Sequence, residues 1–139
     1  MVRRDIEDDV VHYCIENEKG ILAYSPLQRG LLSGKMKPGY PFNDGDTRAN
    51  DRYFTDENIS RTNAFLDKIK PIAESKNATL AQLVIRWTLK QPGITIALVG
   101  ARNPDQATQN AKAADMTLTK DEIAAINKEL DELVLAKMV

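Results

Sequence analysis

Little in this 139-residue sequence points to a disulfide, a metal or a membrane. A single cysteine, Cys14, cannot form an internal disulfide, which sets aside a secreted, disulfide-stapled fold. One histidine and one cysteine leave few ligands for a transition-metal site, which normally clusters them. No apolar run approaches the roughly 20 residues of a membrane-spanning helix, and the opening MVRRDIEDDV lacks the apolar centre of a signal peptide. Neither sign of charge dominates: 19 Lys plus Arg stand against 20 Asp plus Glu, for a net charge of −1. A dedicated nucleic-acid binder would carry a basic excess or stripe. What is present, 42% hydrophobic and 28% charged residues, is ordinary for a soluble globular chain of one domain, expected in a reducing, cytoplasmic compartment.

From about Arg3 to Glu18, Ile6, Val10 and Cys14 recur at steps of four, with Val11 and Ile15 beside them. This predicts an amphipathic helix with Cys14 on its core face and His12 at the surface. Gly20 stops it, and the short apolar run Ile21-Leu22-Ala23-Tyr24, cut by Ser25-Pro26, reads as a buried strand. Residues 36–55 scatter Pro, Gly, Asn and Asp without a period and read as a long loop. A helix follows from about Asp56 to Lys76, with Ile59, Leu66, Ile69 and Ala73 inward, Pro71 inside it and Asn77 closing the turn. Thr79 and Gln82 form a capping box for a third helix that buries Leu80, Leu83, Val84 and Trp87. Ile94–Val99 is a second strand, apolar enough to be covered on both faces. Asn103-Pro104-Asp105-Gln106 opens a fourth helix with a cap, a first-turn proline and a glutamine three residues on. Thr119 and Glu122 cap the last helix, with Ile123, Ile126, Leu130 and Leu133 inward. Strands separated by helices imply parallel pairing, yet two strands leave a sheet incomplete, so the chain reads as a piece of something larger.

Two stretches carry chemistry. In Val99-Gly100-Ala101-Arg102-Asn103-Pro104-Asp105-Gln106 a strand ends in glycine and a helix starts within a few residues. Free backbone donors at that start, with the helix dipole behind them, suit an anion, and Arg102 adds a planar fork suited to phosphate. Gln106 and Asn110, four apart, share a helix face and are placed to read an adenine edge. Spacing alone also admits Gly100 as a plain turn and Arg102 as solvated surface. The second stretch, Ser25-Pro26-Leu27-Gln28-Arg29-Gly30-Leu31-Leu32-Ser33-Gly34-Lys35, likewise follows a strand's carboxyl end, where parallel α/β folds bind ligands. It is not a nucleotide P-loop, because Gly30 and Gly34 are too close and Met36 follows the lysine. A turn-rich connection fits these residues as well as a ligand site does.

Together the two stretches resemble the carboxyl-terminal part of the aldo-keto reductases, nicotinamide-dependent enzymes built on an eight-stranded β/α barrel. The likeness runs through YCIENEKGILAYSPLQRGLLSGK and PIAESKNATLAQLVIRWTLKQPGITIALVGARNPDQATQN, in the family's order. The resemblance implies an α/β fold class, a partial (β/α)8 TIM barrel in which residues 1–139 supply strands seven and eight with their helices. It implies that Ser25, Pro26, Leu27, Gly30 and Lys35 line the nicotinamide and pyrophosphate. Gly100, Ala101, Arg102, Gln106 and Asn110 would hold the adenosine and its 2′-phosphate, with Arg102 favouring NADPH over NADH, and the loop from Met36 to Thr55 would fold over the cofactor.

The family's catalytic Asp, Tyr, Lys and His belong to the first half of the barrel, and this chain matches from a point just past the sixth strand. No catalytic residue is therefore expected here: His12 and Tyr13, Tyr24, Tyr40 and Tyr53 fall outside that pattern, and Trp87 reads as core. The implied protein binds NADPH (NADP) and, in a full-length parent, a carbonyl substrate, without nucleic acid or membrane. The isolated chain is expected to be inactive and to self-associate or dock on the missing barrel half. A non-catalytic nucleotide-binding or regulatory module, or a truncated product without its own function, are the rival readings.

Overall fold

The computed structural model describes residues 1–137. Among the described residues five α-helices and two strands follow in the order α1 (Val10–Glu16), β1 (Ile21–Tyr24), α2 (Asp56–Glu74), α3 (Leu80–Leu89), β2 (Ile94–Leu98), α4 (Pro104–Ala111) and α5 (Lys120–Asp131). The strands pair in parallel, with Leu22 opposite Ile96, Ala23 opposite Ala97 and Tyr24 opposite Leu98, after an irregularity between Ile21 and Leu22. Among the described residues no helix is long and apolar enough to cross a membrane.

Most boundaries follow from side chains within a few residues. The side chains of Thr79 and Gln82 each accept from the other's backbone N–H as a capping box at the start of α3, and Thr119 and Glu122 do the same for α5. Asn103 caps α4 with Pro104 at its first turn, and Asn77 adopts φ 51°, which ends the chain's helical path after α2. The core then forms where α2, α3 and α5 bring their apolar stripes together. Leu66, Ile69, Leu83, Val84, Trp87 and Ile126 are essentially sealed from solvent. The Trp87 indole N–H is satisfied by Asn127 Oδ1 at 2.8 Å, so its burial leaves no polar orphan.

Three expectations are corrected. The first helix is shorter, starting only at Val10, and its buried residue is Val11; Ile6 and Val10 are exposed and Cys14 is half-buried. Asp9, as its cap, begins the helix late, and residues 5–9 form turns instead. The strands are not covered on both faces: Leu22, Tyr24, Ile96 and Leu98 are 54%, 70%, 46% and 47% exposed. Because the register sets Leu22 beside Ile96 and Tyr24 beside Leu98, these four form one bare apolar patch, while Ile21, Ala23, Ile94 and Ala97 are half-buried. Two strands between helices can be covered only where a helix packs, and α3 packs along β2. Finally, Leu80, Ile123 and Leu133 are half-buried at the rim of the core rather than inside it, and Leu133 lies beyond the end of α5.

The stretch read as a structureless loop contains two 3-10 turns, Thr47–Asn50 and Arg52–Phe54, and buries Met36, Tyr53 and Phe54. With Leu31 and Ile59 these form a second core cluster. A buried Asn58 closes it, accepting from Ala136 N–H at 2.7 Å and donating to Ala136 O at 3.0 Å and Arg52 O at 2.7 Å.

Candidate cofactor site

Parallel pairing puts the carboxyl ends of β1 and β2 side by side, with Tyr24 opposite Leu98. The two chemistry-bearing stretches therefore leave the sheet from the same edge, as ligand loops do in parallel α/β architectures. They are built in opposite ways.

The loop after β1 is strained and deeply seated. Ser25, Gln28 and Arg29 take left-handed φ angles of 51°, 45° and 50°, and Gly30 and Gly34 take 99° and 74°. Only glycine enters this region without steric cost, so the run needs outside support. A Cβ at Gly34 would stand 2.8 Å from Leu80 Cδ1, so the glycine also permits close approach to α3. Leu31 and Leu32 anchor the loop at full burial, one in each core cluster. Pro26 is buried and Leu27 packs against the main core, so these two seat the loop, whereas Ser25, Gly30 and Lys35 keep exposure. Gln28 is buried as well.

The loop after β2 is open and self-contained. Ala101, Arg102 and Gln106 are exposed and Asn110 half-exposed, and a Cβ at Gly100 would meet nothing within 4 Å. Its shape comes from α4 itself. Gln106 Oε1 accepts from Arg102 N–H at 2.8 Å, Asn103 Oδ1 accepts from Gln106 N–H at 2.8 Å, and Asn110 Nδ2 donates to Gly100 O at 3.2 Å. Gln82, at the capping box of α3, donates to Gln109 O at 2.8 Å and so fixes α4 against α3.

This geometry narrows one expectation. The backbone donors of Arg102 and Gln106 are already used, Pro104 has none, and Asp105 brings a negative charge to the first turn. An anion here would be met by the Arg102 guanidinium, which has no carboxylate partner within ion-pair distance among the described residues. Lys35, in the other loop, is likewise without one. The donors that suit a phosphorylated ligand are therefore two cations without an ion-pair partner among the described residues, one per loop, and the free Gln106 Nε2, while Asn110 keeps its Oδ1 as an acceptor and Gly100 leaves the backbone bare.

The residues are not gathered in one enclosed pocket. A cavity of about 490 Å³ lies between the amino-terminal segment, β1 and α3. Ser25 and Pro26 border it, but nothing from residues 100–110 does. His12 is exposed on α1 and Trp87 is core, as read from the sequence.

Sequence reasoning missed two residues at the first loop. Arg48 lies over the rings of Tyr40, Phe42 and Phe54 at 5.7, 5.5 and 6.0 Å and donates through Nη1 to Arg29 O at 3.0 Å. Arg29 in turn pairs with Asp51 and stacks over Phe54 at 4.9 Å. The available signal was four aromatics (Tyr40, Phe42, Tyr53 and Phe54) and two arginines (Arg48 and Arg52) within a stretch without periodicity.

A parallel strand pair between helices, with two loops leaving one edge, describes an α/β fold class, and comparison with known proteins narrows it. The family model for the aldo/keto reductase family matches residues 1–131, and the chain belongs to that family. It is 31% identical over 135 residues to aldo-keto reductase YhdN of Bacillus subtilis, covering 96% of this chain and 41% of that protein. It is 31% identical over 129 residues to the NADH-specific methylglyoxal reductase of Escherichia coli, covering 93% of this chain and 39% of that one. Among solved structures, glycerol dehydrogenase AKR11B4 from Gluconobacter oxydans superposes with a TM-score of 0.87 at 33% identity, covering 99% of this chain and 42% of that chain. The chain thus spans about two fifths of the relatives it matches.

Proposed function

We propose that residues 1–139 are the cofactor-binding portion of an NADPH-dependent aldo-keto reductase, with β1 and β2 as the seventh and eighth strands of its (β/α)8 barrel. The observation that carries this reading is the emergence of both loops from the same edge of a parallel pair, each with an uncommitted cation. Ser25, Pro26, Leu27, Gly30 and Lys35 bind and shape the nicotinamide and pyrophosphate end. Gly100 and Ala101 let the ligand approach the backbone, Arg102 takes the 2′-phosphate, and Gln106 and Asn110 present their free amide halves to the adenine. When bound, the nicotinamide supplies hydride for reduction of a carbonyl substrate.

The proton for that reaction needs a positioned acid, and neither His12 nor Tyr13, Tyr24, Tyr40 or Tyr53 falls in the pattern of the family's catalytic Asp, Tyr, Lys and His. The 139-residue chain alone is therefore without carbonyl reductase activity, and the substrate is set by the full-length parent. The single unpaired Cys14 is consistent with a reducing, cytoplasmic compartment. The bare patch of Leu22, Tyr24, Ile96 and Leu98 supports self-association or docking on a barrel half. Sedimentation at several concentrations reads this out, and a compact monomer throughout would rule out self-association.

The cofactor assignment is tested by calorimetric titration of the chain with NADPH and NADH. Charge-assisted bonds are worth roughly 1.5–3 kcal/mol each, so Arg102→Ala should weaken NADPH about 10- to 100-fold and leave NADH nearly unchanged. Equal losses for both cofactors would remove Arg102 from the phosphate site. No saturable binding of either by the folded chain would overturn the reading. The relative from E. coli, named as NADH-specific, makes this comparison decisive for preference.

A further inference from the structure

We propose that Arg29 and Arg48 are positioning residues: they capture residue 29 at both ends and hold the left-handed turn of residues 28–30 in its ligand-binding shape. This rests on the cofactor reading above for its purpose, though not for its geometry.

Gln28 and Arg29 are not glycines, yet both sit in the left-handed region directly before Gly30. Side chains persist there only where surrounding contacts over-determine the backbone. The contacts present converge on one residue. The Arg29 guanidinium pairs with Asp51, donates to Thr47 Oγ1 at 3.3 Å and lies 4.9 Å over the Phe54 ring. Its carbonyl oxygen accepts from Arg48 Nη1 at 3.0 Å. Arg48 is itself aimed. Asp46 takes its Nε at 3.0 Å and its Nη2 at 2.6 Å, and three aromatic rings flank its plane. With the fork committed to Asp46 on one side, the remaining nitrogen has one direction to point, and it points at the strained carbonyl. A lysine would lose this division of labour, because its ammonium is a single point charge without the planar fork that grips Asp46 while a separate nitrogen reaches the carbonyl.

The residues that supply these contacts, Asp46, Thr47, Arg48 and Asp51, all lie in the 36–55 segment, distant in sequence from the turn. That segment is itself held by Tyr53 and Phe54 in the second core cluster. The turn is therefore shaped before any ligand arrives, which lowers the ordering cost of binding. Because the turn is not assigned to the 2′-phosphate, both cofactors should depend on it equally, in contrast to Arg102.

The test compares the full chain with Arg29→Ala, Arg48→Ala, Arg48→Lys and Asp51→Asn. Asp51→Asn preserves an oxygen for the Tyr53 N–H and weakens only the ion pair. Hydrogen exchange without cofactor should run about 10-fold faster at residues 28–34 in each variant, with α3 amides still protected. Titration should show NADPH and NADH weakened by the same factor, about 3- to 10-fold. Unchanged exchange at residues 28–34 in both alanine variants, or Arg48→Lys behaving as the unaltered chain, would overturn the proposal. Faster exchange with unaltered affinity for both cofactors would overturn its link to binding. Should the unaltered chain bind neither cofactor, the cofactor reading fails while the exchange comparison still decides whether the two arginines hold the turn.

Discussion

The loops after β1 and β2 leave the same sheet edge but draw their order from different distances along the chain. The first is braced by residues 46–51 and by two core clusters, and it tolerates five left-handed residues because others hold it. The second is braced by Asn103, Gln106 and Asn110, all within ten residues of Gly100. The proposed site would combine a tertiary-built loop with an open, locally built one. Damage should therefore spread differently from each.

The largest expected effect is in the first loop. Leu32 is fully buried where the loop enters the main core. Leu32→Ala should cost about 2–5 kcal/mol of global stability by removing buried methyl groups and leaving a cavity. Denaturant unfolding should show one lowered midpoint for the whole chain. A change confined to the loop, with the midpoint unmoved, would mean that the loop is not coupled to the core.

The second loop should fail more gently. Asn103→Ala removes the cap that accepts from Gln106 N–H, worth about 1 kcal/mol. Faster exchange should be limited to α4 and residues 100–103, with the midpoint of the whole chain nearly unchanged. Equal loosening of residues 28–34 would erase the contrast between the loops.

The smallest effect sharpens the comparison through pH. Hydrogen bonds from the Arg48 side chain and backbone hold the Asp46 carboxyl down to a pKa of about 2, against an ordinary value of 3.8. A lowered folded-state pKa means the unfolded chain binds the proton more readily, so this contribution is complete above about pH 4 and fades as pH falls toward 2. The brace on Arg29 should loosen over that window. The second loop has no carboxylate in its bracing hydrogen bonds, so its exchange should not show this dependence, as amide exchange read by region would reveal.

What could be read from residues alone tracks this same division. The caps at Thr79, Asn103 and Thr119 were legible because each is a hydrogen bond closed within four residues, and the helices they open occur where expected. Gly100 through Asn110 were legible for the same reason, down to the pairing of Gln106 and Asn110 on one face, although the use of the backbone donors by those side chains was not. The first helix failed because an apolar step of four says which residues share a face, not whether a neighbour exists to cover it. Val10 and Ile6 face solvent while Val11 is buried.

The sequence by itself determined the order of helices and strands, the parallel pairing that crossover connections require, and a loop after β2 stabilised by its own helix. Tertiary structure alone decided the rest. It chose which strand face is bare, because coverage depends on what packs across the sheet. It also turned an aperiodic stretch into a second core and brought Arg48 and Asp51 onto residue 29, because a hydrogen bond and an ion pair between residues 19 and 22 apart leave no period in a sequence.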